Sequence, residues 1–198
     1  MFISFEGLDG SGKTTQAEHL RVRLEADGVD VVATREPGGT ELGERIRDLV
    51  LHGDHVTPWA EALLYAASRA QHVEEVIRPT LERGASVICD RYVDSSVVYQ
   101  GVARGLGLER VFDLNLTAVG GLMPDRTFLL QLDPIDVPER LIGEHDRLER
   151  EGEAFRALAA AGYRDLAARF PDRIFVIDGT RPEDEIADRV YGALRIGT

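Results

Sequence analysis

The segment Gly7–Thr14 constrains the fold more than any other part of the sequence. It reads Gly-Leu-Asp-Gly-Ser-Gly-Lys-Thr and fits the phosphate-binding pattern G-x-x-x-x-G-K-[ST] at every fixed position. Glycines allow a tight turn that points backbone N–H groups inward, and the lysine adds positive charge over the outer phosphates. The hydroxyl after the lysine is a ligand for the Mg²⁺ that bridges those phosphates. The pattern therefore predicts a site for a nucleoside triphosphate or a similar phosphate.

The residues on either side of this loop support the motif. Phe2–Phe5 is a short, mostly apolar run that is typical of a buried strand, and Ala17, Leu20 and Leu24 follow the loop at helical spacing. A strand, a glycine-rich loop and a helix in this order are what the motif requires. A chance match in an ordinary glycine loop is the alternative, and the flanking elements disfavour it.

Composition narrows the class of protein. The 198 residues, 43% of them hydrophobic, are enough for one globular domain with a sizeable core. The lone Cys89 can form neither an internal disulfide nor a metal cluster, which favours a core position and a reducing cytoplasm. We expect no membrane span and no signal peptide, because no apolar run is long enough and no basic segment precedes the first strand. The net charge of -12 argues against nucleic-acid and membrane partners.

Apolar strands alternate with helices along the chain. This order predicts an α/β protein with the P-loop NTPase fold, in which helices cover both faces of a five-stranded parallel sheet within a single domain, residues 1–198. Ligands of such sheets bind beyond the carboxyl ends of the strands. The predicted strands are Phe2–Phe5, Val29–Ala33, Ser86–Asp90, Phe128–Leu132 and Ile174–Ile177. The segments expected to meet at that edge are Gly7–Thr14, Arg35–Thr40, Asp90–Arg91 and Asp133.

A phosphate-binding loop alone leaves several function classes open. GTPase switches, transport ATPases and small-molecule kinases all contain one. The chain lacks the extra strands of large ATPases and the Asn-Lys-x-Asp element of guanine-specific switches. A kinase of a small metabolite therefore fits best.

Further stretches narrow this class. Arg35–Thr40 reads Arg-Glu-Pro-Gly-Gly-Thr, Asp90–Tyr92 reads Asp-Arg-Tyr, and Ser95–Gly101 and Gly121–Asp125 follow. Together with Phe5–Thr15, these stretches resemble the thymidylate kinase family in order and spacing over nearly the whole chain. The resemblance implies phosphorylation of dTMP to dTDP with MgATP as donor, and it implies a homodimer.

The resemblance also implies a donor site. The loop backbone and Lys13 would hold the ATP phosphates, and Thr14 and Asp90 would bind the Mg²⁺ ion. Asp9 would contact the 3′-hydroxyl of the nucleotide near the reacting phosphates; a solvated loop acid is the alternative. Asp90 could instead be an N-cap at the strand end. The implied ATP-binding residues are Gly7, Leu8, Asp9, Gly10, Ser11, Gly12, Lys13, Thr14 and Thr15.

On the acceptor side, the resemblance implies that Arg91 grips the dTMP phosphate. Tyr65 would stack on thymine, Arg69, on the same helix face, would hydrogen-bond a thymine carbonyl, and Tyr99 would crowd the 2′ position. Alternatively, Tyr65 is an ordinary core aromatic and Arg35 is a surface arginine. The resemblance also implies a cis peptide bond at Glu36–Pro37, for which an ordinary trans turn is the alternative. The implied dTMP-binding residues are Asp9, Arg35, Glu36, Pro37, Tyr65, Arg69, Arg91, Ser96, Tyr99 and Gln100.

Gly10 stands where one subgroup of the family carries an arginine in the loop. The chain therefore resembles the bacterial type, in which a mobile lid supplies that charge. The candidate lid is 136–149, with Arg140 and Arg147 as cations and Glu149 as a substrate contact. This segment is shorter and more acidic than the family pattern, so a solvated charged helix is the alternative.

This interpretation needs no catalytic base, because the acceptor phosphate is already ionised near neutral pH. The expected catalytic residues are Lys13, Arg91, Asp9 and Arg147, which act by positioning and by neutralising charge. Two other functions remain open. One is a kinase of a different nucleoside monophosphate, and the other is a non-catalytic regulatory module that binds ATP.

Overall fold

A parallel β-sheet of five strands forms the centre of the computed structural model, which describes residues 1–137, 146–148 and 150–195. The strands lie side by side in the order β2-β3-β1-β4-β5, and every neighbouring pair is parallel. The predicted α/β fold is therefore confirmed. The strands are β1 (Phe2–Gly7), β2 (Val31–Arg35), β3 (Ser86–Asp90), β4 (Arg126–Gln131) and β5 (Ile174–Asp178).

Helices connect these strands and cover the sheet. Two of the helical stretches contain π-helical segments, Val73–Ile77 and Val97–Ala103, which local periodicity did not predict. A short 3₁₀ turn, Pro134–Asp136, follows β4. The α-helices are α1 (Lys13–Ala26), α2 (Glu41–His52), α3 (Pro58–His72), α4 (Arg78–Glu82), α5 (Val93–Ser96), α6 (Leu108–Ala118), α7 (Glu153–Arg169) and α8 (Glu183–Arg195).

The two faces of the sheet bury two separate hydrophobic clusters. On one face, Ile3 and Phe5 of β1 pack with Leu20 of α1. On the other face, Phe2 and Leu166 of α7 belong to a larger cluster. Since successive strand residues point to opposite faces, a strand covered on both sides must be apolar at consecutive positions. This explains why β1 is mostly apolar, with Ser4 and Glu6 as its buried polar residues.

The second strand begins two residues later than predicted. Val29 completes the end of α1, because its N–H donates to the carbonyl of Leu24 at 2.9 Å and Gly28 has the left-handed φ of 82°. Pairing with β3 then starts at Val31, opposite Ser86. The helix terminus and the ladder together fix this boundary, and the apolar pattern alone did not.

The carboxyl ends of β1, β2 and β3 meet at one edge of the sheet. Arg35 at the end of β2 is paired in register with Asp90 at the end of β3, and Phe5 of β1 is paired with the same Asp90. The phosphate-binding loop follows β1 directly. In the described part of the chain, no helix is both long and apolar enough to span a membrane.

Candidate active site

A cavity of about 420 Å³ opens at the carboxyl edge of the sheet, and most of the predicted site residues line it. Arg47, Leu51, Ser95, Asp146 and Leu148 also contribute to its wall. Arg147 is not among the described residues of the lining. The predicted residues in the lining are Asp9, Gly10, Gly12, Lys13, Thr14, Thr15, Arg35, Glu36, Pro37, Tyr65, Arg69, Asp90, Arg91, Ser96, Tyr99 and Gln100.

The phosphate-binding loop needs its glycines for steric reasons. Gly7 has a φ of 141°, and a Cβ there would collide with the carbonyl oxygen of Leu130. Gly12 has a φ of 88° just before α1 begins, a conformation that residues with a Cβ rarely adopt. The loop therefore directs the N-terminus of α1 toward the cavity, where the helix dipole favours an anion.

Lys13 points back into this loop. Its Nζ donates to the carbonyl of Leu8 at 2.8 Å and lies 3.5 Å from Oγ of Ser11. Burial, and then the neighbouring charge of Arg91, lower its pKa to about 8. No second lysine occurs in the sequence. An ammonium group at the start of α1, where the helix dipole also favours an anion, is suited to bind the outer phosphates of a nucleotide.

Thr14 and Asp90 are in contact at the other side of the loop. The hydroxyl of Thr14 donates to Oδ2 of Asp90 at 2.5 Å. The other carboxylate oxygen, Oδ1, is buried, and no described residue donates a hydrogen bond to it. Buried acceptors are normally satisfied. A hydroxyl beside an unsatisfied carboxylate oxygen is a donor set that suits Mg²⁺.

Arg91 connects the phosphate loop to the rest of the cavity. Its guanidinium pairs with Asp9, donates to Oγ of Ser95 at 2.9 Å and lies over the ring of Tyr99. Its backbone has the left-handed φ of 69°, which is strained for a residue with a Cβ. Burial alone would raise the pKa of Asp9, but the charges of Arg91 and Lys13 lower it below its ordinary value. Asp9 is therefore a paired anion and not a solvated loop acid.

A buried acid that the sequence analysis did not single out, Glu6, orients the hydroxyls around Arg91. Ser95 and Tyr163 both donate to Oε2 of Glu6, at 2.6 and 3.0 Å. The same two hydroxyl oxygens accept from Nη1 of Arg91, at 2.9 and 3.3 Å. Burial and the nearby charge of Asp94 raise the pKa of Glu6 to about 7. Since the hydroxyl protons are directed to Glu6, lone pairs remain for Arg91.

Arg69 is one of the largest fully buried side chains of the protein. Its Nε donates to Glu36 at 2.6 Å, and its other N–H groups bond to Ser96, Asn115 and the carbonyl of Tyr92. A guanidinium has five N–H groups. One N–H on Nη2 is therefore left without a partner in the described part of the chain, at a residue that lines the cavity.

Because of this burial, Arg69→Ala is expected to destabilise the whole protein as well as weaken ligand binding. Removing one member of a buried ion pair costs about 3–5 kcal/mol, since Glu36 would be left as an uncompensated charge. Urea unfolding measures the effect. The matched control is Arg45→Ala, which breaks an ion pair of the same 2.6 Å length on the exposed face of α2. Equal losses in the two variants would contradict a structural role for Arg69.

The remaining base-side candidates also face the cavity. Tyr65 is buried in α3 and lines the wall, so it belongs to both the core and the cavity. Ser96, Tyr99 and Gln100 lie at or within the π-helical segment Val97–Ala103. π-helical turns inside helices occur frequently at functional sites. Here the segment brings adjacent side chains, Tyr99 and Gln100, to one cavity.

Arg35 and the Glu36–Pro37 peptide bond lie beside each other at the end of β2, in the wall of the cavity. The Glu36–Pro37 bond is cis, as the resemblance implied. Arg35 is half exposed and forms an ion pair with Glu44 at 2.9 Å while it lines the cavity. This guanidinium is therefore shared between a surface carboxylate and the cavity.

Arg147 does not line the cavity, and its side chain is instead bonded to α2 and α3. Its Nη2 donates to Glu61 at 2.5 Å, and its Nε donates to the carbonyl of Val50 at 2.9 Å. In this conformation its side chain is anchored to α2 and α3. The other lid candidates, Arg140 and Glu149, lie outside the described residues, as does most of the segment 136–149.

Glu61 is a second buried acid that the sequence analysis did not single out. It is fully buried in α3 and contacts Gln100 and two arginines. Its spacing could have revealed it, because Glu61, Tyr65 and Arg69 follow one another at intervals of four residues on one helix face. Glu6 could have been recognised from the sequence as well, because it is a charged residue in a mostly apolar strand.

Comparisons with known proteins agree with this geometry. A family model described as thymidylate kinase matches residues 5–190. The chain is 51% identical over 191 residues to the thymidylate kinase of Bifidobacterium longum subsp. infantis, covering 94% of this chain and 82% of that protein. It is 48% identical over 197 residues to the thymidylate kinase of Deinococcus radiodurans, covering 98% and 96%. The crystal structure of thymidylate kinase from Ehrlichia chaffeensis superimposes with a TM-score of 0.82 at 34% identity, over 98% of both chains.

Proposed function

This chain belongs to the thymidylate kinase family, and on that premise we propose that it transfers the terminal phosphoryl group of ATP to dTMP, giving dTDP and ADP. One observation carries the proposal. A continuous cavity joins the phosphate-binding loop with Lys13 to the pocket of Tyr65, Arg69 and Gln100, and Arg91 lines the same cavity. A donor and an acceptor nucleotide can therefore meet at one arginine.

In this proposal the donor lies on the phosphate-binding loop. The backbone of residues 7–15 and the ammonium of Lys13 hold the ATP phosphates, while the hydroxyl of Thr14 and the carboxylate of Asp90 hold Mg²⁺. The unsatisfied Oδ1 of Asp90 supports this metal assignment. When bound, Mg²⁺ neutralises the negative charge that the phosphate oxygens carry during transfer.

The acceptor lies in the other half of the cavity. Tyr65 stacks on the thymine ring, and the free N–H of Arg69, the hydroxyl of Ser96 and the carboxamide of Gln100 bind its polar edge. Tyr99 packs beside the sugar. Asp9 contacts the sugar hydroxyl, and Arg35, Glu36 and Pro37 complete the wall near the phosphate. The burial of Tyr65 and Tyr99 at the cavity supports an aromatic contact with a base and a sugar.

Charge neutralisation and positioning carry the chemistry. An oxygen of the dTMP phosphate attacks the terminal phosphorus of ATP, a new P–O bond forms, and the bond to ADP breaks. Arg91 and Lys13 hold the two phosphate groups at reaction distance and reduce their mutual repulsion. No group on the protein has to remove a proton, because the attacking oxygen is already ionised.

The remaining features of the enzyme are part of the same proposal. The chain acts as one domain, residues 1–198, and the segment 136–149 is its lid. On closure of the lid, Arg147 and Arg140 reach the phosphates, and Glu149 contacts the substrate. Arg147 would then have to leave its partner Glu61. We further propose a homodimer, which the exposed Leu42, Leu49 and Leu63 on neighbouring helices support. We also propose a cytoplasmic location, which the single cysteine, Cys89, supports.

The lowered pKa of Lys13 predicts how ATP binding depends on pH. Protonated Lys13 binds the phosphates, and in the free enzyme this proton is lost as the pH rises through about 8. We expect the Kd for a non-hydrolysable ATP analogue to rise about tenfold per pH unit above 8. Titration calorimetry between pH 7 and 9.5 measures this. Amine labelling at each pH, read from the peptide that contains Lys13, reports the same ionisation, since Lys13 is the only lysine and the α-amino group of Met1 lies outside that peptide. A constant Kd across the range would contradict the prediction.

A substrate panel tests the proposed function. ADP release is measured with ATP and each of dTMP, dUMP, dCMP, GMP and AMP as acceptor. We expect turnover to be fastest with dTMP. Preference for another nucleotide would identify a kinase of a different nucleoside monophosphate. ATP binding without any acceptor-dependent ADP release would identify a regulatory module.

A further inference from the structure

The carboxylate of Glu61 is positioned between the cavity wall and two arginines. It is fully buried, and its Oε2 accepts from Arg147 at 2.5 Å and from Arg104 at 3.3 Å. Its Oε1 accepts from Nε2 of Gln100 at 2.8 Å and, at the longer distance of 3.4 Å, from Nε of Arg104. A carboxylate paired with guanidinium groups accepts hydrogen bonds and donates none. Whatever faces Oε1 must therefore be a donor.

This requirement fixes the orientation of the Gln100 side chain. A carboxamide carries an acceptor oxygen and a donor nitrogen at nearly equivalent positions, so an unrestrained glutamine can rotate to suit either partner. If the carboxamide of Gln100 rotated, its oxygen would face the carboxylate of Glu61, and both atoms are acceptors. No described residue donates to Oε1 of Gln100, which leaves this oxygen and the second Nε2–H available to a ligand in the cavity.

The two pyrimidines require opposite orientations of such a carboxamide. Thymine presents a donor at N3 beside acceptors at its carbonyl oxygens, so it pairs with an oxygen opposite N3 and an N–H opposite a carbonyl. Cytosine presents an acceptor at N3 beside an amino donor, and it pairs only with the rotated carboxamide. A fixed carboxamide therefore accepts one base and opposes the other.

We propose that Glu61 determines specificity as a positioning residue: it holds the Gln100 carboxamide in the orientation that is complementary to thymine and that opposes cytosine. This inference rests on the proposed function, because it places the base of dTMP beside Gln100. Arg104 and Arg147 neutralise the charge of Glu61 in this conformation, and the carboxylate still faces Gln100 when one of the two guanidinium groups is absent. Glu61 itself does not touch the nucleotide.

Glu61→Gln provides the test, because the new side chain has the same shape. Its oxygen can keep the guanidinium of Arg104, so its amino group faces Gln100 and the Gln100 carboxamide rotates. The acceptors are dTMP and 5-methyl-dCMP, which differ only in the group on C4, a carbonyl oxygen or an amino group, and in the proton on N3. We expect the ratio of kcat/KM for dTMP to that for 5-methyl-dCMP to fall by about a hundredfold, mainly through KM. An unchanged ratio would overturn the proposal.

Two further variants distinguish polarity from general loosening of the site. Arg104→Met removes one guanidinium from Glu61 but leaves the carboxylate facing Gln100, so the ratio should stay near that of the wild type. A loss of discrimination as large as that of Glu61→Gln would overturn the proposal. Gln100→Met should reduce discrimination without reversing it. The wild-type enzyme in the same assay tests the proposed function separately, since failure to turn over dTMP would refute that function and not the role of Glu61.

A measurement on the wild-type protein remains decisive even if Glu61→Gln does not fold. The side-chain amide protons of Gln100, identified by their loss in Gln100→Met, are followed by ¹⁵N NMR without nucleotide. A carboxamide held by Glu61 should give one Nε2 proton that is strongly protected from exchange with solvent, because it is bonded to the buried Oε1 of Glu61. Equally rapid exchange of both Nε2 protons would overturn the proposal.

Discussion

Lys13→Ala is expected to lower kcat by roughly 10³-fold, the largest loss we predict for a single truncation in the phosphate-binding loop. The lysine is buried at the loop, where its Nζ already lies 2.8 Å from the carbonyl of Leu8 and needs little rearrangement to meet a phosphate. Charges in such a water-poor site act on the transferring group with little screening. A coupled assay of ADP release with dTMP and MgATP measures the loss.

The control for this variant lies on the same helix. Arg21 is bound to Glu18 and Glu25 on the exposed side of α1, so Arg21→Ala removes a cation from the helix without touching the cavity. We expect its turnover to stay close to that of the wild type. The assignment of the phosphate-binding loop would fail if Lys13→Ala retained activity within tenfold of the wild type.

The sequence predicted the sheet well because strands that are buried on both faces are recognisable locally. β3 was predicted with its observed bounds, Ser86–Asp90, since an apolar run ending in an acid has few other interpretations. β4 was less well predicted. It begins at Arg126, where polar residues pair with neighbouring strands, and it ends before Leu132. Such boundaries depend on partners that are distant in sequence, which periodicity does not report.

The sequence predicted the site residues that belong to motifs, but not the buried acids that contact those residues. Glu6 meets Ser95 and Tyr163, and Glu61 meets Gln100 and Arg104, across separations of 39 to 157 residues. No local pattern encodes contacts of this range. For the same reason Arg69 was predicted as a ligand contact, whereas its extensive bonding inside the core became visible only in the structure.

Arg91 is the residue whose loss should most impair use of the acceptor. Its guanidinium is held from several sides at once, by Asp9, by the hydroxyls of Ser95 and Tyr163, and by the ring of Tyr99. Such extensive contacts fix the direction in which its remaining N–H groups point. A strained backbone φ of 69° is maintained at the same residue, which indicates that its position matters more than its local conformational energy.

Arg91→Met is therefore expected to lower kcat/KM for dTMP by roughly 10³-fold. The substitution removes the charge and keeps most of the side-chain volume. Arg91→Lys should recover little of the activity, because a single ammonium cannot replace a planar group that contacts a carboxylate and two hydroxyls together. Steady-state kinetics with varied dTMP at saturating ATP measure both variants. Near-wild-type activity in Arg91→Lys would show that charge alone is sufficient.

A second substitution separates the effect on catalysis from the effect on folding. Arg91→Met leaves Asp9 as a partly buried carboxylate without its main partner, so the variant should also lose some stability. Adding Asp9→Asn removes that unpaired charge, and the double variant should regain stability in urea unfolding. Its kcat/KM for dTMP should nevertheless remain at the level of Arg91→Met or below, because the phosphates still lack their cation. Recovery of activity together with stability would mean that Arg91 serves the fold and not the reaction.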